Sequence, residues 1–133
     1  MDGSAAGVWI LGGYQSDFAR NLTREGRDFA ALTAEVVDGT LAATRVDAAA
    51  IGVVHVGNAF GEMFATQGHL GAMPATVCGD LWDTPASRHE AACASGSVAA
   101  LAAMAAATIA LGRDEGAFED ELEASARAAD VRR

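Results

Sequence analysis

Cys93 stands in the run Cys93-Ala94-Ser95-Gly96-Ser97, after a strand-like segment and ahead of a long apolar helical pattern. A thiol at a strand-to-helix junction can do nucleophilic chemistry. In open α/β sheets, sites gather at the carboxyl ends of strands. A helix start offers unpaired N–H groups and the positive end of the helix dipole. Both favour a reactive sulfur, and the same N–H groups can stabilise an oxyanion on a thioester carbonyl. Ala94, Ser95 and Gly96 are small and leave room for a substrate at the sulfur. The competing reading is a small buried hydrophobe whose neighbours serve close helix–sheet packing.

The remaining candidates carry less. Cys78, in Val77-Cys78-Gly79-Asp80, has no helix start behind it and reads as a packed residue. His55 falls inside an apolar run and reads as a packed histidine with one hydrogen bond. His89 precedes Cys93 by four residues, which in a strand separates them by roughly 13 Å, too far for a direct pair. His69 lies in an irregular stretch, where only tertiary folding could bring it to a pocket. The cysteines and histidines lack zinc-site spacing, so no metal is expected. Gly12-Gly13 lacks the third glycine of a dinucleotide fingerprint.

The elements that must position these residues follow from periodicity. Val8-Trp9-Ile10-Leu11 reads as a first buried strand, ending at Gly12-Gly13. Gln15 to Arg27 is polar, with three arginines, and reads as a surface loop. Asp28 is an N-cap for a helix reaching about Thr44, with Phe29, Leu32, Val36 and Leu41 on one face. Asp47 to Ala50 reads as a helical turn, and Ile51 to Val56 as a buried parallel strand. An irregular stretch, 59 to 72, contains a short helix near Thr66 to Met73. A third strand, about Ala86 to Ala92, leads into Cys93 and a helix to about Leu111, with Gly112 as its C-cap. The order β-α-β-(α)-β-α predicts an α/β fold: a mostly parallel sheet with helices on its faces. Residues 1–112 form this partial domain. Residues 113–133, with seven acids and four arginines, read as an acidic tail, helical or disordered.

Composition bounds the partners. The 133 residues suit one modest core. A net charge of −9 argues against nucleic acid and against an anionic membrane surface. The apolar run Val98 to Leu111 is alanine-dominated and reads as a buried helix rather than a membrane span. Two cysteines make no disulfide framework, and Met1-Asp2-Gly3-Ser4 opens no secretory signal, so a cytoplasmic chain with reduced thiols is expected.

Four segments, in order, resemble the thiolase family. His89-Glu90-Ala91-Ala92-Cys93-Ala94-Ser95-Gly96-Ser97 resembles its nucleophile segment, closest to the sterol-carrier-protein-2-like, acetyl-CoA acetyltransferase branch. Ile10 to Phe18 resembles the family's first strand and loop, Val56 to Ala59 the end of its second strand, and Gln67 to Gly71 the helix that follows. The resemblance spans about Val8 to Met104 and implies a thiolase-like β-α-β-α-β-α half. It implies that Cys93 accepts an acyl group from a coenzyme A thioester, as substrate rather than bound cofactor, with its backbone N–H in an oxyanion hole. CoA, or the carbanion of a second acyl-CoA, then takes the acyl group. The family's activating histidine, proton-moving cysteine and CoA-gripping loop lie later in its chain and have no match here. The expectation is therefore an N-terminal fragment, too short to work alone. It would act as a homodimer or with a complementary C-terminal half, and would be poorly stable or aggregation-prone in isolation because of an unpaired sheet edge. In the resembling enzymes, the region of Met63 and Phe64 lies near the dimer contact. Two further readings are a non-catalytic truncated product and a ketoacyl-synthase-like condensing enzyme, which shares the Ala92-Cys93-Ala94-Ser95-Gly96 pattern.

Overall fold

The computed structural model describes the backbone of residues 7–130 and the side chains of residues 7–112. It shows an α/β arrangement around a small parallel sheet. The first helix, α1 (Phe29–Thr44), begins as the sequence predicts. The extended backbone of Asp28 places its carboxylate 2.9 Å from the Ala31 N–H, which it accepts. Arg45 closes the helix in the left-handed conformation, φ 58°, and its N–H donates to Leu41 O. Phe29, Leu32, Val36 and Leu41 are half-buried, so the apolar face is real but incompletely covered. The 3-10 turn Ala48–Ala50 follows, capped by the Asp47 carboxylate on the Ala49 N–H.

Strand β1 (Val54–Gly57) is followed by two short helices, α2 (Gly61–Ala65) and α3 (Met73–Val77), and then strand β2 (Ala86–His89). Among the described residues the two strands form the whole sheet. They run parallel in the register Val54–Ala86, His55–Ser87, Val56–Arg88, Gly57–His89. Both strands are shorter than their apolar runs. Ile51 to Val53 stays outside the ladder, and the third predicted strand ends at His89, three residues before Ala92.

Three expectations are corrected. Val8 to Leu11 is not a strand: no ladder partner exists for it among the described residues, and Trp9, Ile10 and Leu11 are exposed. An apolar run becomes a strand only where another strand takes up its N–H and C=O groups. The helix near Thr66 to Met73 is displaced. Thr66, φ 52°, and His69, φ 56°, are left-handed and interrupt it, leaving a 3-10 turn at Leu70–Ala72 before α3. Finally, the helix after Cys93 does not stop at Gly112. Helix α4 runs Ser95–Asp130, taking in most of the predicted acidic tail. Gly112 is a helix-interior glycine, and the last three residues lie outside the described range.

The chain divides into two compact units. Ile10–Ala103 holds every element up to the start of α4, and a second unit includes Trp9 and the rest of that helix. In the first unit the core is small: Ala48, Leu70, Met73, Leu81 and Ala99 are buried, and no large side chain is completely so. Gly71 sits where a Cβ would lie 3.0 Å from Ser87 C and Arg88 N, so the turn at Leu70 rests directly on the β2 backbone. The loop before α1 is held by charge instead. The Tyr14 ring covers Gly39 and its hydroxyl donates to Glu35 at 3.0 Å. Arg20 bridges Glu35 at 2.8 Å and Glu25 at 2.5 Å, and Arg27 stands 3.5 Å from Glu35.

The predicted buried helix after Cys93 is mostly uncovered. Over residues 95–112 only Ser95 and Ala99 are buried, and Leu101 is 62% exposed. By length and composition the stretch Ala92–Gly112, mean hydropathy 1.8, is long and apolar enough to cross a membrane. Alanine supplies much of that hydropathy, and the core helix of a soluble protein has the same character.

Candidate active site

Strand β2 does not run straight into a helix at Cys93. A tight turn intervenes. Ala91 leaves the strand conformation (φ −155°, ψ 45°), Ala92 is left-handed at φ 49°, and a 3-10 turn at Ala92–Ala94 leads into α4. The straight-strand spacing used to separate His89 from Cys93 therefore does not apply. Left-handed backbone at an alanine is unfavourable and persists only where its surroundings fix it.

Ser95 supplies that fixing. Its side chain is 4% exposed. Its hydroxyl accepts the Ala91 N–H at 2.9 Å and donates to Ala92 O at 2.7 Å, so both sides of the left-handed residue are tied to one atom. The Glu90 carboxylate accepts the Ala92 N–H at 2.7 Å. The Ala94 N–H donates to Ala91 O at 2.9 Å, and the Ser95 N–H donates to Ala92 O. Cys93 is exposed at the apex of this turn. Among the described residues, neither its thiol nor its backbone N–H enters a hydrogen bond, so an accessible sulfur sits beside a free donor.

The turn is also held from below. A Cβ on Gly57 would lie 2.5 Å from Ser95 O and 2.7 Å from Gly96 Cα. The end of β1 thus meets the first residues of α4 backbone to backbone, which only glycine permits.

The other candidates fall elsewhere. His55 and His89 belong to one cluster on neighbouring strands: His55 Nδ1 lies 2.9 Å from His89 Nε2, and each lies 3.0 Å from Ser87 Oγ. The single-hydrogen-bond reading of His55 was thus too simple, and its Nε2 is buried without a partner. His69 is exposed. Cys78 is half-buried at the end of α3, its N–H donating to Pro74 O. Among the described residues no group of three or more His, Cys, Asp and Glu side chains converges as a metal site would. Sequence reasoning missed the His55–Ser87–His89 cluster because it depends on the strand register, although the i, i+2 spacing of Ser87 and His89 already set them on one face. It also passed over Ser95 as merely small. A cleft of about 460 Å³ lies between α1 and β1, lined by Phe29, Leu32, Val36, Val54 and Leu70 among others. Cys93 does not line it.

No protein-family model and no curated protein matches the chain.

Proposed function

We propose that Cys93 is the acyl-accepting nucleophile of a thiolase-type acyltransferase acting on coenzyme A thioesters. The observation that carries this reading is the pinned turn between β2 and α4, which exposes the Cys93 thiol beside its own unengaged N–H. The resemblance of His89 to Ser97 to the thiolase nucleophile segment supports it, as does the parallel order of β1 and β2.

The chemistry needs one bond exchange. The Cys93 sulfur attacks the thioester carbonyl, and the resulting oxyanion is met by the Cys93 N–H. Collapse breaks the bond to the CoA sulfur, which leaves with the proton that Cys93 lost. The products are an S-acyl cysteine and free CoA. A second substrate, CoA or an acyl-CoA carbanion, then takes the acyl group and restores the thiol.

One observation favours a second reading, a subunit whose cysteine works only in a site completed by other residues. Among the described residues no histidine hydrogen-bonds Cys93, and two of the three bond to each other. Intact mass after incubation with acetyl-CoA or acetoacetyl-CoA, beside Cys93→Ala, tests the proposal on protein shown to be folded. An adduct present in the parent and absent from the variant supports a competent nucleophile. A folded parent that takes no acyl group refutes the first reading and leaves the second.

A further inference from the structure

Ser95 does more than pack. It is the buried polar residue among the described side chains, and its hydroxyl is the shared endpoint of two hydrogen bonds that flank Ala92. Ala92 is left-handed without being glycine. Without those bonds the turn relaxes toward ordinary backbone, and Cys93, the next residue, swings with it. The sulfur and the Cys93 N–H would then lose their common aim at one carbonyl. Gly57 holds the opposite side of the same residue through the Ser95 backbone, so Ser95 joins the sheet to the turn.

We propose that Ser95 is the positioning residue of this site, holding the left-handed turn at Ala92 that presents Cys93 to a thioester. The assignment rests on the reading of Cys93 as acyl acceptor. It predicts a specific dissociation between two reactions of the same sulfur. Acyl transfer needs the sulfur and the N–H aligned on one carbonyl. Alkylation by iodoacetamide needs only an accessible thiol.

The test follows both reactions at the Cys93 peptide by mass spectrometry in the full chain. Ser95→Ala should slow acyl transfer from acetyl-CoA about 100-fold, the scale of a misplaced reacting group, while alkylation stays within about threefold of the parent. Ser95→Thr keeps the hydroxyl and should restore most of the transfer. Equal losses in both reactions, or transfer within about twofold of the parent in folded Ser95→Ala, would overturn the assignment. Should Ser95→Ala not fold, Ala92→Gly/Ser95→Ala replaces it, because glycine takes φ 49° freely. Folded, slow in transfer and with a faster-exchanging Ala91 N–H than in Ala92→Gly alone supports the proposal; folded with the Ala91 N–H exchanging as in Ala92→Gly overturns it. Should the parent take no acyl group, the acyl-transfer reading fails, and amide exchange decides on Ser95 alone. The Ala91 N–H exchanges faster in Ser95→Ala if Ser95 holds the turn, and at an unchanged rate if it does not.

Discussion

Gly57→Ala tests the junction on which the site stands. The new methyl group would lie 2.5 Å from Ser95 O, 2.7 Å from Ser95 C and 2.7 Å from Gly96 Cα. Comfortable contacts of this kind are about 3.5 Å, so the strand end and the helix start must part by close to 1 Å. All three neighbours are backbone atoms, and no side-chain rotation relieves the contact. Gly57 does not have a positive φ, so backbone conformation adds nothing to the penalty. Overpacking of this sort costs about 1–3 kcal/mol, and the absence of a yielding partner places Gly57→Ala near 3 kcal/mol. At about 3 °C per kcal/mol for a domain of this size, melting should fall by about 9 °C. Gly52→Ala is the matched control. Nothing lies within 4 Å of its Cβ, and its φ is not positive, so it should be neutral or stabilising by up to about 1 kcal/mol. Thermal unfolding followed by circular dichroism reads both. If the two variants melt within a degree or two of each other, the close approach of β1 to α4 is not present in solution, and the argument for how Cys93 is held goes with it.

Two further outcomes are expected. Glu35 is held below its ordinary value of 4.5, first by the hydrogen bond from Arg20 and then by that from Tyr14. A depressed folded-state value means that the stabilisation is present above pH 4.5 and is lost as pH falls through the lowered value. The urea midpoint should therefore drop on acidification below 4.5, and Glu35→Gln should flatten that slope; an unchanged slope would show the Tyr14–Glu35–Arg20 link is not formed. Leu70 is 3% exposed in a core with few buried members, so Leu70→Ala should cost about 2–5 kcal/mol and leave little or no cooperative transition, whereas a variant melting like the parent would show that the turn before α3 is not part of the core.

Local signals were legible where one residue decides the outcome. Asp28 carries cap chemistry that depends on a neighbour three positions away, and that cap forms as read; the turn read at Asp47 to Ala50 also forms, with the Asp47 carboxylate accepting the Ala49 N–H. The parallel pairing of the second and third apolar runs also follows from their β-α-β spacing. What failed depends on partners far along the chain. Val8 to Leu11 has a strand's composition, yet a strand exists only as a pair. Gly112 has a C-cap's identity, but a glycine ends a helix only when it turns left-handed itself; here Gly112 and the residues on either side stay helical. Thr66 and His69 break their helix by positive φ, which no threonine or histidine announces.

The site shows the same division more sharply. Cys93 could be singled out as a candidate from its neighbours, but the bonds that hold its turn could not, because Ser95 looks like any small residue until its hydroxyl is seen spanning Ala91 and Ala92. The histidines invert the argument. His89 is closest to Cys93 in sequence, yet the register gives it to His55 and Ser87. His55 Nδ1 and His89 Nε2 lie 2.9 Å apart, and Ser87 Oγ completes the cluster. On the proposed reading of Cys93, the turn supplies position and a backbone donor, and no histidine among the described residues hydrogen-bonds the thiol.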